Sequence, residues 1–157
     1  MKQPSFFSVF IGTGFGSGYF PKAPGTAGAF VATAIWFLLS LILPFNLLWM
    51  VTAVLIVVFA VLGIWAGNVL EQYWGKDPKR LVVDEMVGVW IPLLIVPADN
   101  LWYVLGAFIL FRFFDILKPL GIRKMESFKG GVGVMMDDVL AGIYSLVVLF
   151  IVRWLIG

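Results

Sequence analysis

Two pairs of adjacent acids, Asp84-Glu85 and Asp137-Asp138, are the residues of this chain whose types and spacing bear most directly on chemistry. Arg112, Asp115 and Lys118 follow at three-residue intervals, which places them along roughly one flank of a helix. Carboxylates that cluster with Arg and Lys suit a hard cation, Mg²⁺ above all, which takes oxygen ligands and substrate phosphates. The cationic side chains then suit phosphate oxygens. Each piece also has a local reading. Asp137-Asp138 can open a helix, where acids satisfy free N–H groups and the dipole. Arg112 and Asp115 can form an intrahelical ion pair, and Lys118 can anchor a helix at an interface. Asp84-Glu85, set between Leu81-Val82-Val83 and Met86-Val87, has no evident local partner and no capping geometry in the sequence.

Two absences narrow the chemistry. The chain has no Cys, which excludes disulfides, thiolate metal sites and a Cys nucleophile. It has no His, which excludes the usual general base near neutral pH, the commonest nitrogen ligand and a phosphohistidine.

The elements that must position these residues belong to a membrane protein. Of the 157 residues, 62% are hydrophobic and 13% charged. A soluble domain of this size has too little interior for so many large apolar side chains. The apolar stretches predict an all-α, polytopic helical fold in a single domain over 1–157, with about five spans at 27–43, 47–70, 81–97, 100–117 and 138–156. Thr26 is expected to cap the first and Pro44 to end it. Gly63-x-x-x-Gly67 offers a small-residue face for helix packing, and the oligomeric state stays open. Residues 5–20, interrupted by Gly12, Gly14, Gly16 and Gly18, read as an interfacial or re-entrant segment rather than a signal peptide.

The cations fix the expected orientation. Lys2 and Lys22 precede span 1, Lys76, Lys79 and Arg80 follow span 2, and Lys118, Arg123, Lys124 and Lys129 follow span 4. The connections 44–46 and 98–99 carry no Lys or Arg, so the positive-inside rule places the N-terminus and the cationic loops in the cytoplasm. Only Arg153 falls on the other side, where its long stem can snorkel. With this topology, Asp84-Glu85, Arg112-Asp115 and Asp137-Asp138 reach one membrane depth from three remote segments. A charge at the bilayer centre costs about 2.5–3.5 kcal/mol, so six facing lipid would cost on the order of 15 kcal/mol. They are therefore expected near the interface, paired, or around a polar cavity.

The glycine segments admit two uses. The backbone N–H groups around Gly14 and Gly16, with Lys22 and the helix start at Thr26, can face an anion, and Gly130-Gly131-Val132-Gly133 can do likewise. Close packing and loop flexibility are the plainer alternatives. The alternating glycines make only a very weak case for a dinucleotide site, because no strand context accompanies them. With a net charge of +2 and no long basic run, nothing points to nucleic acid.

Five motifs in order carry a family resemblance. They are Gly14-Phe-Gly-Ser-Gly18, Pro21-x-x-Pro24-Gly-Thr26-x-Gly28, Val83-Asp-Glu-x-x-Gly88-x-Trp90, Phe111-Arg-x-x-Asp115-x-x-Lys118-Pro119, and Gly130-Gly-x-Gly-x-Met-x-Asp137-Asp138-x-x-Ala141-Gly142. Over about residues 10–145 the chain resembles the phosphatidylglycerophosphatase A family. Ala29, where Ser is common, and Gly121, where Pro often stands, depart from that pattern. The resemblance implies a Mg²⁺-dependent, multi-pass enzyme of the bacterial cytoplasmic membrane. Its phospholipid substrate would be phosphatidylglycerophosphate, hydrolysed to phosphatidylglycerol and phosphate with the site facing the cytoplasm. It further implies a metal site of Asp84, Glu85, Asp115, Asp137 and Asp138, with Arg112 and Lys118 beside the phosphate. Glu85, Asp137 and Asp138 are the candidates for catalytic work, activating water rather than forming an aspartyl-phosphate, since no Asp-x-Asp phosphatase motif is present.

The chief rival is a small ion-coupled transporter that uses the same intramembrane carboxylates. A carrier is expected to hold its charges near midplane with access from both sides, whereas these gather toward one face. A CDP-alcohol phosphotransferase would show a different Asp-rich helix signature, which is not found.

Overall fold

A computed structural model of the chain describes residues 3–76, 78–128 and 130–156, with position 126 described by its backbone alone. The regular structure of these residues is helical, without a strand, as the sequence predicts. It comprises α1 (Phe6–Gly12), α2 (Pro24–Ile42), α3 (Phe45–Trp74), α4 (Val83–Leu93), α5 (Leu101–Leu117) and α6 (Gly130–Ile156). Short 3₁₀ turns at Ser17–Tyr19 and Ile122–Ser127 precede α2 and α6.

Helix boundaries follow local chemistry. Pro24 occupies the first turn of α2, where its missing N–H costs nothing. The Asn100 side chain accepts the Trp102 N–H at 3.1 Å and caps α5. Gly75 ends α3 at φ 87°, and Lys118 ends α5 in the left-handed region. Three expected boundaries are corrected. Ala23, not Thr26, is the N-cap of α2, because the proline sets the helix start three residues earlier. The third span contracts to the 11 residues of α4, followed by turns through Val96. Helix α6 begins at Gly130 rather than at Asp138, so Gly131 and Gly133 are helical and the aspartate pair lies inside the helix.

Helices α2, α3 and α6, of 19, 30 and 27 residues, are long and apolar enough to cross a bilayer. With 17 residues, α5 sits at the lower edge of the range of about 17–25 residues for a span. At about 1.5 Å per residue, α4 covers only about 16 Å, roughly half the hydrocarbon thickness. Helix length therefore accounts for three of the five expected spans outright.

The short α4 is the centre of the molecule. Ten of its 11 residues are buried, and it packs against α2, α3, α5 and α6. A helix apolar on every side is stable only when enclosed. The indole N–H of buried Trp90 donates to the Ala32 carbonyl at 2.9 Å and ties α4 to α2. The outward faces of α2, α3 and α6 expose Leu41, Val57, Val61 and Phe150, as expected of surfaces that meet lipid.

Small residues set the helix spacing. A methyl at Gly67 would come within 2.9 Å of the Gly131 backbone, and one at Gly63 would collide with Met135 and Val83. The Gly63–Gly67 face is thus consumed inside the chain, holding α3 against α4 and α6. Arg153 does not simply snorkel. Its guanidinium donates to the Ile95 carbonyl at 2.5 Å and satisfies backbone beyond the end of α4. At Gly121, φ is 88°, a value no proline can adopt, so this departure from the family pattern has a backbone cause.

Candidate active site

Chain direction alternates through α2, α3, α4, α5 and α6, and this brings the start of α4, the end of α5 and the early turns of α6 together. Asp84 and Glu85 lie in the first turn of α4, where the helix dipole favours negative charge. Neither acid caps the helix, whose N-cap is Val82 without a side-chain hydrogen bond, so the expected lack of capping geometry holds while the first-turn position is added by the structure. Asp137 and Asp138 stand about two turns into α6, beyond reach of an N-terminal capping role. Arg112 and Asp115 occupy the last two turns of α5, and Lys118 is its C-cap.

These acids form two adjoining groups. Asp84, Glu85 and Asp138 each present a carboxylate oxygen within 4.8 Å of the others. Asp115 and Asp137 are instead held by cations. Arg112 Nη1 pairs with Asp115 Oδ2. Lys118 Nζ donates to Asp137 Oδ2 at 2.6 Å and stands 3.6 Å from Asp115 Oδ1. Burial pulls the Lys118 pKa down, but the hydrogen bond and charge of Asp137, with Asp138 and Asp115 behind it, outweigh that and raise it above its ordinary value. The ammonium therefore stays protonated between the two carboxylates.

The group of three is short of positive charge. Asp84 and Asp138 are 5% and 1% exposed, so water screens them little. Asp84 Oδ1, Glu85 Oε2 and Asp138 Oδ1 are buried without a hydrogen-bond partner among the described residues. Five carboxylates face two cations, and adjacent buried carboxylates repel unless a cation joins them. An all-oxygen donor set with orphaned, convergent lone pairs fits a hard divalent ion. Two further polar atoms at the same place, Asp137 Oδ1 and Arg112 Nε, are unpartnered among the described residues. An acceptor and a donor are thus left unused beside the metal-type cluster.

Gly25, which sequence reasoning passed over as part of a helix start, touches this site. A methyl there would lie 2.9 Å from Glu85 Oε1 and 3.3 Å from Arg112 Nη1. The first turn of α2 therefore closes directly over the acid and the guanidinium, with its leading N–H groups at the favourable end of the dipole. Its signal in the sequence was only the Pro-Gly pair.

Other expected site residues fall elsewhere. The Gly14 N–H donates to Ile11 O at 3.1 Å and the Gly16 N–H to Thr13 Oγ1 at 3.1 Å, so these amides are spent within their own turns. Gly14 packs on Met86 and Val82, which makes this segment a brace for α4 rather than an open anion nest. Thr26 lines an apolar groove with Ala27 and Phe30, on the side of α2 turned away from Gly25. Lys22 is exposed ahead of α2. The cations expected at Lys2 and Lys129 lie outside the described residues.

Fold and site together define a helical membrane protein with a buried carboxylate centre flanked by Arg and Lys. The family model for phosphatidylglycerophosphatase A matches residues 10–153, and the chain belongs to that family, whose members are phosphoric monoester hydrolases. It is 38% identical to the phosphatidylglycerophosphatase A of Haemophilus influenzae, over 92% of this chain and 87% of that protein. Its identity to the Escherichia coli phosphatidylglycerophosphatase A is 32%, over 94% and 85% respectively. A Bacteroides thetaiotaomicron protein, provisionally named a phosphatidylinositol-3-phosphatase, is 64% identical over the full length of both chains. No solved structure matches the chain.

Proposed function

We propose that this protein hydrolyses phosphatidylglycerophosphate to phosphatidylglycerol and phosphate, with Mg²⁺, at the cytoplasmic face of a bacterial inner membrane. The observation that carries the reading is the convergence of Asp84, Glu85 and Asp138, with their orphaned oxygens, beside the unpartnered Arg112 Nε. The family and its two curated phosphatidylglycerophosphatases support the substrate. Lys22, Lys76, Arg123 and Lys124 neighbour the site-end helix termini in the chain, which supports a cytoplasmic site.

In this reading Asp84, Glu85 and Asp138 hold the ion, which supplies charge neutralisation and Lewis acidity at the phosphoryl group. Arg112 Nε donates to a phosphate oxygen, its guanidinium plane fixed by the Asp115 pair. Asp137 Oδ1 accepts a proton from the attacking water, while Lys118 holds Oδ2 and orients the carboxylate. The water oxygen bonds to phosphorus, the phosphorus–ester oxygen bond breaks, and the proton taken by Asp137 passes to the leaving lipid oxygen, so that alcohol and phosphate depart with the carboxylate restored.

The test is phosphate release by purified protein from phosphatidylglycerophosphate and from phosphatidylinositol 3-phosphate, with Mg²⁺ and with EDTA. Release from the first lipid that EDTA abolishes and Mg²⁺ restores is expected. Release indifferent to chelation removes the metal. Turnover confined to the inositol lipid transfers the activity to the chemistry named for the Bacteroides relative.

A further inference from the structure

Asp137 is shared between the buried acids and a separate cleft of mixed lining, in which Phe128 and Val134 stand beside Glu71 and Lys76. The cleft, of about 200 Å³, runs from Asp137 along the first turns of α6 to Glu71 and Lys76 at the end of α3. A second lobe continues past Ser127 and Phe128. Its α3 and α6 walls are held together nearby, where the Gly131 N–H donates to Asn68 Oδ1 at 2.8 Å. The lobe against Asp137 is itself smaller than the roughly 300–1,000 Å³ of pockets that enclose whole drug-sized ligands, and so has room for part of a head group rather than a whole lipid. Glu71 is half-buried and Lys76 exposed, so the cleft opens on a cation and is lined deeper by acceptors.

We propose that this cleft binds the polyol and bridging phosphodiester of the lipid head group, with Lys76 on the phosphodiester and Glu71 accepting polyol hydroxyls. The proposal rests on the phosphatase reading above for the position of the terminal phosphate. The order along the structure matches the order of groups in such a lipid. The phosphomonoester lies at the carboxylate cluster, a short polyol beside Asp137, and the second phosphate at the mouth, where an ammonium is the fitting partner. A carboxylate has about four lone-pair sites, so Glu71 can accept hydroxyls alongside its other interactions. Lys76 and Glu71 are accordingly specificity residues, which select a lipid whose phosphomonoester sits on a hydroxylated spacer over one whose phosphate is attached directly to diacylglycerol.

The experiment compares the wild type with Lys76→Ala, Lys76→Glu and Glu71→Gln, using phosphatidylglycerophosphate and phosphatidate in mixed micelles with Mg²⁺. Equilibrium binding of acyl-labelled phosphatidylglycerophosphate is measured in parallel with EDTA. The ratio of kcat/KM for the polyol lipid over phosphatidate is expected to fall about tenfold in Lys76→Ala and Glu71→Gln, and further in Lys76→Glu, as for loss of one charged hydrogen bond. The fall should be carried by KM, with binding weakened in step. An unchanged ratio, an equal loss on both lipids, or a fall carried by kcat overturns the proposal. A wild type that hydrolyses neither lipid overturns the phosphatase reading instead. The EDTA binding measurement then decides the cleft, with equal affinity in all four proteins counting against it.

Discussion

At the scale of single residues, the five carboxylates divide by the company they keep. Asp115 and Asp137 each have a cation, whereas Asp84, Glu85 and Asp138 have one another and unpartnered oxygens. This division makes Asp138→Asn a sharp test. It should lower turnover by about 10²- to 10⁴-fold, since the several kcal/mol of transition-state stabilisation an ion would supply depend on the carboxylates that hold it, while the protein still inserts and elutes as the wild type does. Near-normal rates would place the chemistry elsewhere. Arg112→Lys keeps the charge but loses the planar fork and the Nε donor, so the lipid KM should rise several-fold in steady-state assays. An unchanged KM would leave Arg112 as a partner of Asp115 alone. Charged residues were legible in the sequence because each is costly in hydrocarbon. Their partners were not, because pairing depends on where Lys118 and Asp137 meet across 19 residues of chain.

At the scale of elements, glycines decide how near the helices come and hence whether the carboxylates meet. Gly67→Ala drives a methyl against the Gly131 backbone, which cannot yield as a flexible side chain would. A destabilisation of about 1–3 kcal/mol is expected from such overpacking, read as a lower thermal midpoint in detergent. Gly106→Ala is the contrasting variant, since its methyl meets only Leu149 Cδ1 at 3.6 Å. It should match or exceed wild-type stability through helix propensity. If both variants melt alike, close approach of α3 and α6 is not what Gly67 provides. Element type was readable from apolar length alone, but two starts were misplaced. Gly130–Gly133 has the composition of a loop, yet residues 131–133 are helical because α6 docks on Asn68 and Ile64 of α3. Thr26 has the chemistry of a cap and is none because Pro24 begins the helix earlier.

At the scale of the whole molecule, a cysteine-free chain permits a direct test of orientation. Single cysteines at Lys124 and at Asn100, which lie at opposite ends of α5 in the chain, should react differently with an impermeant thiol reagent in sealed inside-out vesicles. Labelling at position 124 and protection at position 100 are expected; the reverse pattern would place the site outside the cell. The sequence by itself determined that the protein is helical and lives in a bilayer, and that its acids gather at one end, because apolar length and buried charge are one-dimensional constraints with large energies. It also determined the family, through five motifs in order. Only tertiary structure decided that α4 is an enclosed peg rather than a full span, that Asp84, Glu85 and Asp138 converge while Asp115 and Asp137 pair with cations, and that Gly25 closes over Glu85 and Arg112. Those outcomes rest on packing between helices distant in the chain, where van der Waals fit and ion pairing act across space and leave no periodic trace in the order of residues.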